Sequence, residues 1–131
     1  DQDLDSIDVT VTTLDDFLAI RAEKPIDFIK CDVEGHEADV FYGAKQTLIR
    51  DMPILLFECH RSEEEKGELF SFLSEIGYTG FFYHVEPKDH ASIFRRNIGK
   101  YIHFSKYAEY EYCRPSVQHR NYVFVKDNEE L

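Results

Sequence analysis

The sequence predicts an α/β fold: an open, mostly parallel sheet covered by helices. Three observations carry this. Short, nearly continuous apolar runs at residues 26–33 and 53–60 have the length and composition of strands buried on both faces. Between and after them lie stretches with apolar residues at helical spacing. The two kinds of segment alternate along 131 residues, a length that suits one domain.

The elements follow in order. Ile7, Val9 and Val11 alternate with Asp8, Thr10 and Thr12, which predicts a half-buried strand over residues 7–11. Thr13-Leu14-Asp15-Asp16 has the form of a helix start with an acid three residues after the cap. Leu14, Phe17 and Leu18 give that helix its apolar stripe, and Pro25 ends it. The strand through Cys31 and Val33 is followed by Glu34-Gly35-His36. Val40, Phe41, Ala44, Leu48 and Ile49 then predict one helix over residues 37–50. Ser62-Glu63-Glu64-Glu65 reads as a capping box, opening a helix through Leu69, Phe70, Leu73 and Ile76 to Gly77. Residues 78–85 and 121–126 are the last two strands. Residues 86–120 hold Arg95, Arg96 and Lys100 among aromatics with poor periodicity, and read as a partly helical excursion or lid.

Charge narrows the function. Fifteen basic against 26 acidic residues leave a net charge of −11, which repels phosphate backbones and anionic lipid. The expectation is therefore no nucleic acid and no membrane. No apolar run approaches the roughly 20 residues that span a bilayer, and no signal peptide opens the sequence, so the expected compartment is the cytoplasm. Three cysteines make no disulfide framework, and Cys31 and Cys59 sit in apolar runs as small buried hydrophobes.

On such sheets, ligands sit beyond the C-terminal ends of the strands. That rule selects Asp32-Val33-Glu34-Gly35-His36 and Glu58-Cys59-His60. Residues two apart on a strand share a face, so Lys30 projects with Asp32, and Glu58 with His60. A rim of Asp32, Glu34, His36, Glu58 and His60 could take a proton from a substrate hydroxyl or amine, or ligate a divalent metal. Structural roles compete for each. Asp32 could cap a turn, Lys30 could form an ion pair with Asp32, and Glu34 and Glu37 could favour a helix N-terminus. No HExxH or CxxC spacing is present, so no dedicated metal site is expected.

Val-Thr-Thr-Leu-Asp-Asp-Phe-Leu at 11–18, Ile-Asp-Phe-Ile-Lys-Cys-Asp-Val-Glu-Gly-His-Glu at 26–37, Gly43-Ala44 and Pro-Ile-Leu-Leu-Phe-Glu at 53–58 together resemble the FkbM family of S-adenosylmethionine-dependent methyltransferases. The resemblance covers residues 9–85 well and 121–126 loosely. It implies a Rossmann-like sheet of strand order 3-2-1-4-5-7-6, mostly parallel with an antiparallel last strand. On that template residues 26–33 are strand 4, 53–58 strand 5, 78–85 strand 6 and 121–126 strand 7. The six glycines form no G-x-G turn, so the family's Gly-rich cofactor loop is expected upstream, and the chain reads as the C-terminal half of the domain.

The resemblance also implies methyl transfer from S-adenosylmethionine to a hydroxyl of a small-molecule acceptor, sugar or polyketide-like. It implies Asp32 nearest the transferring methyl, Glu34 and His36 orienting or deprotonating the acceptor, and Glu58 and His60 toward the substrate. Asp32 and Val33 would face the cofactor. Without strand 1, strand 4 is an edge. The expectation is that the strand at residues 7–11 covers it, or that two copies form a homodimer through it.

Overall fold

The computed structural model describes residues 6–21, 24–60, 67–85, 99–106 and 119–128. Its elements are α1 (Leu14–Ala19), β1 (Phe28–Cys31), α2 (Glu37–Tyr42), α3 (Lys45–Asp51), β2 (Ile54–His60), α4 (Glu68–Glu75), β3 (Tyr78–Val85), β4 (Gly99–His103), a 3-10 turn (Phe104–Lys106) and β5 (His119–Lys126). The capping box at residues 62–65 lies outside the described residues, as does most of the excursion.

The five strands form one sheet in the order β1-β2-β5-β3-β4. Only β1 and β2 pair in parallel; the other three ladders are antiparallel. The expected mostly parallel sheet is thereby corrected. The last strand, β5, does not add at an edge. It inserts between β2 and β3 and runs against both, which turns one antiparallel strand into two antiparallel ladders. Within the excursion, residues 99–103 fold back on β3 as β4, adding a third.

The strand expected at residues 7–11 does not form. Ile7, Val9 and Val11 are 85%, 76% and 87% exposed. Alternation shows which side chains would suit a half-buried strand, but a strand also needs a ladder partner, and no described strand lies beside this one. For a related reason β1 spans four residues rather than eight: among the described residues only β2 pairs with it.

The helix expected over residues 37–50 is two helices, broken at Gly43-Ala44. The start of α1 docks into the break. A Cβ on Gly43 would stand 3.2 Å from Thr13 Cβ, so a glycine is needed for the close approach. Thr13 Oγ1 caps α1 by accepting from the Asp16 N–H at 3.1 Å, and the Asp15 N–H donates to the Gly43 carbonyl at 3.0 Å. The Asp15 carboxylate accepts from the Gln46 and Thr47 N–H groups, both at 2.9 Å, and from Thr47 Oγ1 at 2.7 Å. It thus satisfies orphan donors at the start of α3 from another helix. Burial pushes the Asp15 carboxyl up, but these hydrogen bonds and the Arg50 charge outweigh it and hold it below its ordinary value.

Helices α2, α3 and α4 bury Phe41, Leu48, Leu69, Phe70 and Leu73 against one face of the sheet, and Ala44 in the break between α2 and α3 is buried with them. Cys31, Leu55, Phe57, Phe82, Tyr122 and Phe124 are the sheet's side of this core. Phe57 meets Phe41 edge-on with centroids 5.0 Å apart, and Phe70 meets Tyr122 likewise at 4.9 Å. Gly80 on β3 makes room for the Phe124 ring: a Cβ there would fall 2.3 Å from Phe124 Cζ. Phe28, Ile54, Tyr83 and Tyr101, on the sheet's opposite face, remain between 39% and 53% exposed.

Candidate active site

The rim forms where the parallel pair ends. Cys31 is in register with Phe57, so the next residues along, Asp32 and Glu58, stand side by side on neighbouring strands. Lys30 shares their face. Its ammonium donates to Asp32 Oδ2 at 2.8 Å, and both side chains are about half exposed. The hydrogen bond to Asp32, then the Asp32 charge and more weakly the Glu58 charge, hold the Lys30 ammonium above its ordinary pKa. One cation therefore sits in the field of two carboxylates. This gives Lys30 the ion-pair role that competed with a chemical one.

The turn after Asp32 is held from below. Glu34 and Gly35 both adopt positive φ, at 51° and 98°. Glycine takes such a conformation freely, whereas a glutamate there is strained by about 1 kcal/mol or more. The Glu37 carboxylate accepts from the Val33 N–H at 3.2 Å and from the Gly35 N–H at 3.0 Å. Glu37 is only 2% exposed. Its two oxygens thus clamp both sides of the strained turn. Sequence reasoning gave Glu37 only a helix-start role. The available signal was an acid two residues after the glycine of a strand-to-helix turn, followed by the core residues Val40 and Phe41.

His36 lies at the start of α2 and makes no cap with its side chain. Its Nδ1 stands 3.1 Å from Asp39 Oδ2, and both side chains are well exposed. Glu34 and Val33 are exposed on the turn between it and Asp32. His60 ends β2, where it is in register with His119. The structure thus joins Asp32, Lys30 and Glu58, and puts Val33, Glu34 and His36 on the adjoining turn. Among the described residues, no three His, Cys, Asp or Glu side chains converge as metal ligands.

Two further features bound the site. Cys31, directly beneath the rim, is buried and free. Burial, with the Glu37 and Asp32 charges, pushes its thiol up to about 11, so it stays protonated and unreactive at neutral pH. A separate open cleft of about 610 Å³ lies between α1 and α2, lined by Val11, Phe17, Asp39 and Val40 among others. Asp32, Glu34, His36 and Glu58 do not line it. No described helix is long and apolar enough to cross a membrane.

No curated protein and no solved structure matches the chain. The family model for the methyltransferase FkbM domain matches residues 1–79, more than half of the 131. The matched stretch contains α1, the Asp15 cap, β1, the clamped turn with its rim, and β2. With the family's motifs on the elements that build this rim, the chain belongs to the FkbM methyltransferase family.

Proposed function

We propose that the chain carries the acceptor side of an S-adenosylmethionine-dependent O-methyltransferase, acting in the cytoplasm on a hydroxyl of a sugar or polyketide-like molecule. The family match over the clamped turn carries this reading. The sheet order supports it: β1-β2-β5-β3 is the order that strands 4-5-7-6 of a Rossmann-like methyltransferase would take.

The residues present fit the cofactor's charge. Its sulfonium and ammonium are cationic, and Asp32 and Glu34 place exposed carboxylates on an open rim. Among the described residues, no atom beyond Gly35 and its chain neighbours lies within 4 Å of where a Cβ would stand, so the backbone there is open to a ligand. Asp32 and Val33 would hold the cofactor. When bound, it supplies an electrophilic methyl group.

The chain's own residues would then prepare the acceptor oxygen. Asp32 is oriented by its ion pair with Lys30. With a proton on Nδ1, His36 donates to Asp39 and leaves Nε2 to accept the hydroxyl proton, so Asp39 acts as a positioning residue. Glu58, and His60 at the end of β2, would bind the acceptor. Positioning supplies most of the rate, and general-base help adds about 10²–10⁴-fold.

The test is methyl-labelled S-adenosylmethionine with the active protein and a panel of hydroxylated acceptors. Label should appear in a base-stable ether. Label on nitrogen, or in a base-labile ester, contradicts O-methylation of a hydroxyl. His36→Ala should shift the pH dependence of the rate, and an unchanged profile removes His36 as base.

A further inference from the structure

The turn that carries the rim has two ways to lie, and one side chain selects between them. The Glu37 carboxylate accepts from the Val33 N–H with one oxygen and from the Gly35 N–H with the other. These two donors flank Glu34, which is held at φ 51°. A peptide unit is planar and trans, so its N–H and C=O point in opposite directions. With the Gly35 N–H turned onto Glu37, the Glu34 carbonyl points away from Glu37. A glutamate leaves the left-handed region by rotating the peptide units on either side of it. That rotation would turn the Gly35 N–H off Glu37 and re-aim the Glu34 carbonyl. The strain at Glu34 favours the rotated turn, and the two hydrogen bonds oppose it.

Glu37 can hold the turn because it is itself held. It is the first residue of α2 and is buried. One helical turn further on, Phe41 is fully buried and meets the Phe57 ring edge-on at 5.0 Å. The backbone of Glu37 is thus fixed to the core of the sheet. Residues 32–36, by contrast, are all exposed. Core packing therefore reaches this exposed turn through the Glu37 carboxylate, with Asp32 just before the clamped segment and Gly35 at its far end.

We infer that Glu37 is a positioning residue for S-adenosylmethionine. It lies buried beneath the turn and acts through it, fixing the one conformer that presents Asp32, Val33 and the Gly35 backbone together. This role rests on the cofactor site proposed above. The apparent dissociation constant of a ligand is its intrinsic value divided by the fraction of protein in the competent conformer. The whole clamp keeps that fraction near one. Losing part of the clamp, with Glu34 pulling toward the rotated turn, should bring it to about a tenth or less, so cofactor affinity should fall at least tenfold. Glu58 and His60 stand on β2, outside the turn, so acceptor binding should not follow.

Calorimetric titration of the active protein with S-adenosylmethionine tests it, at a temperature well below the Tm of each variant. Glu37→Gln keeps the length of the side chain and loses one acceptor oxygen. Glu37→Asp keeps the charge and falls one methylene short of the turn. Both should raise the dissociation constant at least tenfold, whereas a charge acting through space would survive Glu37→Asp. Asp15→Ala removes another carboxylate that accepts backbone hydrogen bonds, from Gln46 and Thr47, away from the turn. It should stay within about twofold of wild type. In the methyl-transfer assay, the Glu37 variants should raise KM for S-adenosylmethionine and leave KM for the acceptor unchanged. A Glu37→Gln or Glu37→Asp protein that binds within about twofold of wild type, or a loss that Asp15→Ala reproduces, overturns the positioning role alone. A wild-type protein that binds no S-adenosylmethionine overturns the cofactor site and this role with it.

Discussion

Replacing Glu37 by alanine should destabilise the domain far more than its place in the first turn of a short helix would suggest. The carboxylate accepts two backbone hydrogen bonds, from Val33 and Gly35, at 3.2 Å and 3.0 Å, from a position 2% exposed. A hydrogen bond to a charged acceptor contributes about 1.5–3 kcal/mol. Gly35 is exposed, so water can replace its lost partner, and that bond belongs at the low end. Removing the carboxylate also removes the cost of desolvating it. The net loss should be about 2–3 kcal/mol, which for a domain of this size lowers Tm by roughly 6–15 °C. Glu37→Gln keeps the shape and one acceptor oxygen but turns an NH₂ group toward a donor, so it should lose about half as much. Urea denaturation followed by circular dichroism gives both values. A Glu37→Ala protein within about 0.5 kcal/mol of wild type would show that the turn holds its strained conformation without the clamp.

Other parts of the fold make their own predictions. Gly80→Ala should destabilise by about 2 kcal/mol or more in the same denaturation assay, because the added methyl collides with the fully buried Phe124 ring. Asp15 has a depressed folded-state pKa, so its stabilisation is complete above the unfolded value near 3.8 and is lost as pH falls through the lower folded value. Asp15→Ala should therefore cost about 1–2 kcal/mol at pH 7 and clearly less below pH 3, as read from denaturation midpoints at each pH. Tyr78→Phe should be neutral or stabilising by up to about 1–3 kcal/mol. Among the described residues its buried hydroxyl has no hydrogen-bond partner, and burial pushes its pKa far up. A loss of stability in thermal melts of Tyr78→Phe would show that this hydroxyl has a partner.

Much of the fold was legible because its signals are local. The apolar run at 54–60 is a strand, Leu69, Phe70 and Leu73 are the buried side of a helix, and Gly77 follows that helix with φ at 96°. The remaining features depend on distant partners. The place of residues 119–126 between β2 and β3 is not stated by the segment itself; only the strand order 4-5-7-6 of the family resemblance implied it. The alternation at residues 7–11 is as regular as that of a strand, but pairing is not a property of the segment itself. The spacing over 37–50 continues across Gly43-Ala44, and only the approach of Thr13 shows why the helix breaks there.

The site divides in the same way. Asp32 and Glu58 could be placed together from strand parity and the end-of-strand rule, and the register sets them side by side. The Lys30–Asp32 pair was visible as a spacing of two. The Glu37 clamp and the His36–Asp39 pair were not read. A carboxylate's backbone partners and a histidine's ring orientation follow from the turn's dihedrals, which no spacing rule encodes.

The most direct measurement of the central claim is the rate of methyl transfer by the active enzyme with Asp32 replaced by Asn. The substitution keeps the size of the side chain and removes its charge, and Asp32 is exposed, so the fold should survive. If Asp32 stands at the methyl-transfer rim, kcat/KM should fall at least tenfold, about 1.4 kcal/mol of barrier, with the denaturation midpoint nearly unchanged. An Asp32→Asn enzyme that turns over at the wild-type rate would contradict the account and leave Asp32 as the structural partner of Lys30 alone.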